Sequence, residues 1–242
     1  MKKCILFLLG MVLLFSLCSC GGKAAEKQTV QPEGKASAQE AIENGALLYS
    51  YDLTKEIVDD IDLAKETYEG RYYLINFIVD STFNEDYLRG MSECPLFTVK
   101  SSVYYAAHLP EEEREGIAPG DIVQVVGKLS AIEKHFNGAT FVEFTDAHCV
   151  SKILQLSGEV QMVAANYRGE RFCSLIDDGV LSPKRGETAV FLPDDCELAA
   201  GDHITVTGKL HGGENHAFFA NAAYADYFIW MEIPESIEIE GS

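Results

Sequence analysis

The chain has 242 residues, 47% of them hydrophobic, and carries 38 acidic against 19 basic side chains for a formal net charge of −19. That apolar content is enough for one large or two small buried cores. The negative balance excludes roles that depend on a basic surface gripping a polyanion, nucleic acid above all.

In chain order, Lys2 and Lys3 form a charged start, and Ile5 to Leu17 is an apolar run broken by Gly10 and Ser16. Such a run fits a secretory signal peptide and is too short to span a bilayer comfortably. Leu17-Cys18-Ser19-Cys20 followed by Gly21-Gly22 resembles the bacterial lipobox, in which a small residue precedes the cysteine that is lipidated. The resemblance implies a signal peptide over 1–19, acyl chains on Cys20, and an exported protein anchored to a bacterial membrane in the cell envelope. Two or more chains would hold it firmly where one is marginal. Loss of the signal leaves 17 basic against 38 acidic residues, a net charge of −21. Residues 20–40 are rich in Ala, Glu, Lys, Gln and Gly and poor in large apolar side chains. They are expected to form a disordered tether.

The remainder contains a repeat. GDIVQVVGKL at 120–129 returns as GDHITVTGKL at 201–210, 81 positions later. In the second copy, polar and apolar residues alternate through His203-Ile204-Thr205-Val206-Thr207, the period of a strand with one buried face. Gly201-Asp202 ahead of this alternation signals a turn, and Gly208 inside the pattern signals a bulge or bend, while Val123 and Val125 of the first copy fall opposite Ile204 and Val206. Upstream, Leu109-Pro110-Glu111-Glu112 matches Leu192-Pro193-Asp194-Asp195, where proline with acids in a first turn predicts a short helix before each Gly-Asp strand. Further upstream, Ile75, Phe77 and Val79 lie one repeat from Leu156, Gly158 and Val160, a first strand in each unit. Residues 139–146 and 217–226 read as the last strands. A helix between the third and fourth strands of a five-stranded barrel is the OB-fold layout. The predicted fold is mainly β: two tandem OB-fold-like barrels. The first unit spans 41–152 with a helix ahead of its barrel, the second spans 153–230, and 231–242 is an acidic tail.

Leu63-Ala64-Lys65-Glu66-Thr67-Tyr68-Glu69-Gly70-Arg71 leads a helix into the first strand. Together with GDIVQVVGKL it resembles the tRNA_anti-like group of bacterial OB-fold proteins, whose members carry a Tyr-x-Gly-Lys/Arg turn after a helix and a later Gly-Asp strand. The resemblance covers 50–228. The second unit has Ser157-Gly158-Glu159-Val160 with no leading helix of its own. The resemblance implies a fold and brings no catalytic residues.

Several residue groups invite a chemical reading. His211-Gly212-Gly213-Glu214-Asn215-His216 offers two imidazoles and a carboxylate to a metal, but no other His/Cys cluster completes a four-ligand set, so a solvated loop is expected. Asp146, His148 and Cys149 suggest a Cys/His pair, yet neighbours along a strand point to opposite faces. Asp177-Asp178-Gly179 lacks the ordered spacing of a calcium loop and reads as a turn. Tyr104 and Tyr105, like Tyr72 and Tyr73, are candidates for the concave face that OB-folds use for binding, one of each pair facing outward. Glu111 to Glu115 reads as a solvated acidic helix face, and Lys184-Arg185 is the local basic cluster. Besides Cys4, Cys18 and Cys20, there are cysteines at 94, 149, 173 and 196. They permit two disulfides in any of three pairings, or buried free thiols.

No cofactor and no metal are expected. The reading taken is a non-catalytic binding or scaffolding module whose partner is an envelope protein, a saccharide or a small ligand, with membrane contact through Cys20 and no nucleic acid. The alternative is a metal-assisted hydrolase using His211 and His216.

Overall fold

The Gly-Asp strands organise the molecule. In a computed structural model of the chain, the described residues are 32–45, 47–80, 87–91, 103–166, 168–177, 179, 187–213 and 228–240. Cys20, Cys94, Lys184-Arg185, His216 and the predicted strand at 217–226 lie outside them.

The first barrel is built from β2 (Tyr72–Val79), β3 (Leu88–Met91), β4 (Val103–Ala107), β5 (Ile122–Lys134) and β6 (Thr140–Ser151). Pairings run β2–β3, β3–β4, β4–β6, β6–β5 and β5–β2, so the sheet closes on itself. The β4–β6 pair is parallel and the others are antiparallel. This is the five-stranded closed arrangement of an OB-fold. Gly127 sits at a register irregularity between Val126 and Lys128, where β5 turns from β2 towards β6.

The second barrel repeats the plan with β7 (Leu154–Ala165), β8 (Arg171–Asp177), β9 (Thr188–Phe191), β10 (His203–Gly208), β11 (Leu210–Gly213) and β12 (Phe228–Met231). Here the long fourth strand is broken after Gly208. β10 pairs with β7, β11 pairs with β12, and Lys209 alone joins them. The β9–β12 pair is parallel, as is β4–β6. Among the described residues these strands run β11-β12-β9-β8-β7-β10, a barrel-like sheet in which no ladder joins β10 to β11 or β12.

The physical content of the Gly-Asp repeat is visible in its hydrogen bonds. The Gly120 N–H donates to the Val79 carbonyl at 2.8 Å, and the Val79 N–H donates to the Asp121 carbonyl at 2.8 Å. The Gly201 N–H donates to the Val160 carbonyl at 2.8 Å, and the Val160 N–H to the Asp202 carbonyl at 2.8 Å. Each aspartate folds its carboxylate back onto the amide three residues earlier, Ala118 at 2.7 Å and Ala199 at 2.8 Å. Gly120 and Gly201 take φ of 90° and 93°, a left-handed turn that side chains disfavour. Gly supplies the turn and Asp closes it.

Ahead of the first barrel lie α1 (Ala38–Glu43), β1 (Leu47–Tyr49), α2 (Ser50–Asp59) and α3 (Ile61–Tyr68). The single helix predicted ahead of the barrel is thus the last of three that precede it among the described residues. Asp60 caps α3 by accepting the Leu63 N–H at 3.0 Å. Leu53, Ile57, Ala64 and Tyr68 bury against Phe77, Tyr105 and Phe144. Phe77 and Tyr105 are fully buried and stack at 6.3 Å; burial of each is worth about 1.5–3 kcal/mol. The tether expectation is corrected at its C-terminal end. Lys35 exchanges backbone hydrogen bonds with Tyr72 at 3.0 and 2.9 Å, and Ser37 caps α1. Ala41 then packs on Leu74 and Val126.

Two further expectations are corrected. The short helix before the Gly-Asp strand forms in the first unit only, as α4 (Glu111–Arg114). The second unit, two residues shorter there, keeps a single turn closed by the Cys196 N–H to the Pro193 carbonyl at 3.1 Å. The stretch 231–242 is not a free tail. Met231 ends β12, and β13 (Ser236–Ile239) pairs with the outer edge of β10. The alternation Ser-Ile-Glu-Ile places Ile237 and Ile239 against the second core and leaves the acids exposed.

The two barrels share structure at one junction. Ile78 and Ile122 of the first barrel are buried in the core cluster of the second. The Gly212 N–H donates to the Gly120 carbonyl at 2.8 Å, joining β11 to the first Gly-Asp turn.

Candidate functional site

Strand register identifies one outward sheet face that both barrels present. Leu88 pairs with Ala107 and Cys173 with Val190, while Ala106 pairs with Glu143 and Ala189 with Trp230. Since Leu109-Pro110 and Leu192-Pro193 follow the same strand in each unit, Ala107 corresponds to Val190. Tyr87 then corresponds to Phe172, His108 to Phe191 and Glu143 to Trp230. The rings of Tyr87 and His108 stand 5.6 Å apart, and those of Phe172 and Phe191 stand 6.4 Å apart. The same positions make the same kind of contact with different chemistry.

On the first barrel this face holds a groove of about 310 Å³ between Tyr87, His108, Glu133, His135, Phe141 and Glu143. A His108 ring nitrogen lies 2.9 Å from the Glu143 carboxylate, and His135 lies against Phe141 at 4.5 Å. Next to it the Tyr104 ring is flanked by Phe141 at 5.5 Å and by the Arg89 guanidinium at 4.6 Å. Asp80 in turn accepts from Arg89 Nε at 2.7 Å and fixes the guanidinium over the ring.

On the second unit a larger cleft, about 440 Å³, shares the positions of Phe191 and Trp230 with that groove and lies between Glu170, Arg171, Phe191, Asp194, Trp230 and Glu232. Phe172, Ala189, Phe191 and Trp230 form a separate apolar cluster on the outside of this barrel. His211 stacks on Trp230 at 5.6 Å.

The predicted site residues are placed as follows. Tyr104 faces outward beside the first groove. Tyr105 does not: it is fully buried, and its hydroxyl lies 2.7 Å from Thr54 Oγ1 and donates to the Ser50 carbonyl at 2.7 Å. Strand alternation forces this split, and the face is Tyr104 with groove residues from neighbouring strands. Tyr72 and Tyr73 divide in the same way, Tyr72 donating to Asp146 at 2.6 Å and Tyr73 buried.

His211 Nδ1 is 3.2 Å from Asp121 and Nε2 is 3.2 Å from Glu232. Among the described residues, no group of three or more His, Cys, Asp or Glu is arranged to hold a metal ion. His148 turns to Glu113 at 2.9 Å, whose other oxygen accepts the Cys149 N–H at 2.6 Å. Burial opposes charge on Glu113, but these two donors hold its carboxyl below the usual range. Asp177 accepts the Gly179 N–H at 3.2 Å, as a turn requires.

The cysteines divide between the barrels. Cys149 packs on the first core, Cys173 and Cys196 on the second, and all three are free thiols. Burial, with a smaller contribution from neighbouring Cys196, pushes the Cys173 thiol up to about 12. Thiolate is the reactive form. Cys173 is therefore expected to resist iodoacetamide at pH 8 in the native protein and to be alkylated once denaturant is added, read by mass spectrometry of the peptides.

Sequence reasoning missed His108, Phe191, Glu143 and Trp230 as partners. A signal was present. His108 and Phe191 each precede the repeated Leu-Pro, and aligning the copies on that dipeptide pairs them. No family model matches the chain, and no curated protein matches it in sequence.

Proposed function

We propose that the protein is a lipid-anchored, non-catalytic binding module that displays two OB-fold-like barrels from a bacterial membrane and engages its partner through the equivalent outward faces. The observation that carries this reading is a groove on each unit, the two sharing the equivalent positions His108/Phe191 and Glu143/Trp230. Each joins aromatic rings to carboxylates on the outer side of its sheet. Pockets with apolar walls and a few convergent polar groups are the usual form of a ligand site. The buried thiols, raised by desolvation, favour packing over nucleophilic roles.

Nucleic acid does not suit these faces. Single-strand binding needs a basic channel beside its stacking rings. Here Glu133 and Glu143 flank Phe141, and Glu170, Asp194 and Glu232 flank Trp230. A labelled oligonucleotide should show no saturable anisotropy change at low salt, where attraction would be greatest.

The test of the reading is photocrosslinking in the native envelope. A photoreactive residue placed at Tyr87 or Phe191 should capture a partner that the same residue at exposed Glu66 on α3 does not. Equal capture from all three positions would overturn the assignment to these faces. Replacing Cys20 with Ala should release the protein from membranes or leave it unprocessed.

A further inference from the structure

We propose that the cleft on the second barrel, walled by Trp230 and Phe191 and rimmed by Glu170, Asp194 and Glu232, binds an organic cation with an apolar body. The ligand class is an ammonium or guanidinium group carried on an alkyl or aryl framework. This deepens the binding-module reading and rests on it.

Size and lining come first. At about 440 Å³ the cleft is in the range of small-molecule sites. Its walls include Trp230, Phe191 and Leu192, and Ile233 on the rim is 62% exposed, a large apolar side chain left in water.

Charge selects among ligands. Among the described residues, three carboxylates line the cleft against one guanidinium, Arg171. Arg171 Nη1 donates to the Asp194 main-chain carbonyl at 3.0 Å, so the guanidinium is tied back to the wall. His211 approaches Glu232 at 3.2 Å, but even a charged imidazole there leaves carboxylates in excess. Glu170 accepts from Asn166 Nδ2 at 2.6 Å, which orients its carboxylate without neutralising it. An anion entering the cleft meets net negative charge. A neutral apolar ligand strips water from carboxylates and returns no partner. A cation satisfies the carboxylates and gains from the negative face of the indole, the best ring for this contact.

The first barrel sharpens the contrast. At the position of Trp230 it has Glu143, already paired with His108 at 2.9 Å. The groove there has a hydrogen-bonded His–Glu pair where the second cleft has an aromatic wall, so the cation site belongs to the second unit.

Trp230 is the chain's only tryptophan, so its emission reads the cleft directly. The full chain, purified in a nonionic detergent, is titrated with 2-phenylethylammonium, and with 2-phenylethanol and 3-phenylpropionate as neutral and anionic counterparts. The ammonium should give a saturable change that weakens with added salt. The alcohol should bind roughly tenfold more weakly or worse, and the carboxylate should give no saturation. The double variant E232Q/D194N should lose about tenfold in ammonium affinity, with its urea midpoint unchanged. E111Q on α4, which removes the same sign of charge elsewhere, should change nothing. A glycine-flanked arginine peptide and free arginine distinguish a partner's side chain from a small amine, since tighter binding of the peptide assigns the ligand to a partner protein.

Equal affinity for the alcohol, absence of any saturable response to the cations, or an unchanged affinity in the double variant would each overturn the proposal. Specific crosslinking from Phe191 alongside any of those results would leave the binding-module reading standing and remove only the cationic assignment.

Discussion

Replacing Gly158 with Ala should remove most of the stability of the second barrel, by about 4 kcal/mol or more, since overpacking against backbone exceeds the usual cost of about 1–3 kcal/mol. A Cβ at this position would lie 1.8 Å from the Ile176 carbonyl oxygen and 2.9 Å from its carbon. Both are main-chain atoms of β8, to which Gly158 is paired opposite Asp177. No side-chain rotation relieves such a contact. The β7–β8 ladder would have to open beside its register shift between Val160 and Met162, and Leu156 and Val160 would lose their packing with it. Gly169 is the control. It has a positive φ of 82° and nothing within 4 Å of where a Cβ would stand, so Gly169→Ala carries only local backbone strain, about 1–2 kcal/mol. Urea denaturation followed by circular dichroism compares the two, and equal midpoint shifts would refute the contact argument.

The second large effect separates two residues that the repeat makes equivalent. Asp121→Ala should cost about 3–5 kcal/mol, the range for breaking a buried charge pair, whereas Asp202→Ala should cost about 1 kcal/mol, the value of a lost cap. Both carboxylates cap an amide three residues back. Only Asp121 is buried, at 2% exposure, and only Asp121 receives Lys209 Nζ at 2.8 Å and His211 Nδ1 at 3.2 Å from the other barrel. Its loss leaves those groups facing an apolar junction formed by Ile78 and Ile122. The matched variants, measured by the same denaturation, test whether a barrel–barrel contact has been built on one copy of a local turn. Gly212→Ala attacks the same junction from the other side, because a Cβ there would meet Ile78 Cδ1 at 2.4 Å.

Local and repetitive features were legible in the residues alone. The Gly-Asp turn could be read because its chemistry lies within four residues: a glycine that accepts positive φ, and an aspartate that reaches its own Ala118 or Ala199 amide. The strand that follows could be read because alternation over Ile204 and Val206, or Val123 and Val125, is a period-two signal. Repetition pointed to the architecture: the first copy lies in a closed barrel and the second in a second sheet of matching strand order. Whatever depends on distant register was settled by the folded chain. β2 lacks alternation, with Leu74 and Ile78 buried along with the inward Ile75 and Phe77, because α1 and the second barrel cover its outer face. The acidic end became β13 because the edge of β10 was open to it. Tyr105 went inside because its neighbour Tyr104 went out, a choice that pairing with β3 and β6 makes and composition does not. The candidate clefts draw their walls from several strands each. A residue such as Trp230 meets Phe191 only when β12 pairs in parallel with β9, and no pattern along the chain encodes that meeting.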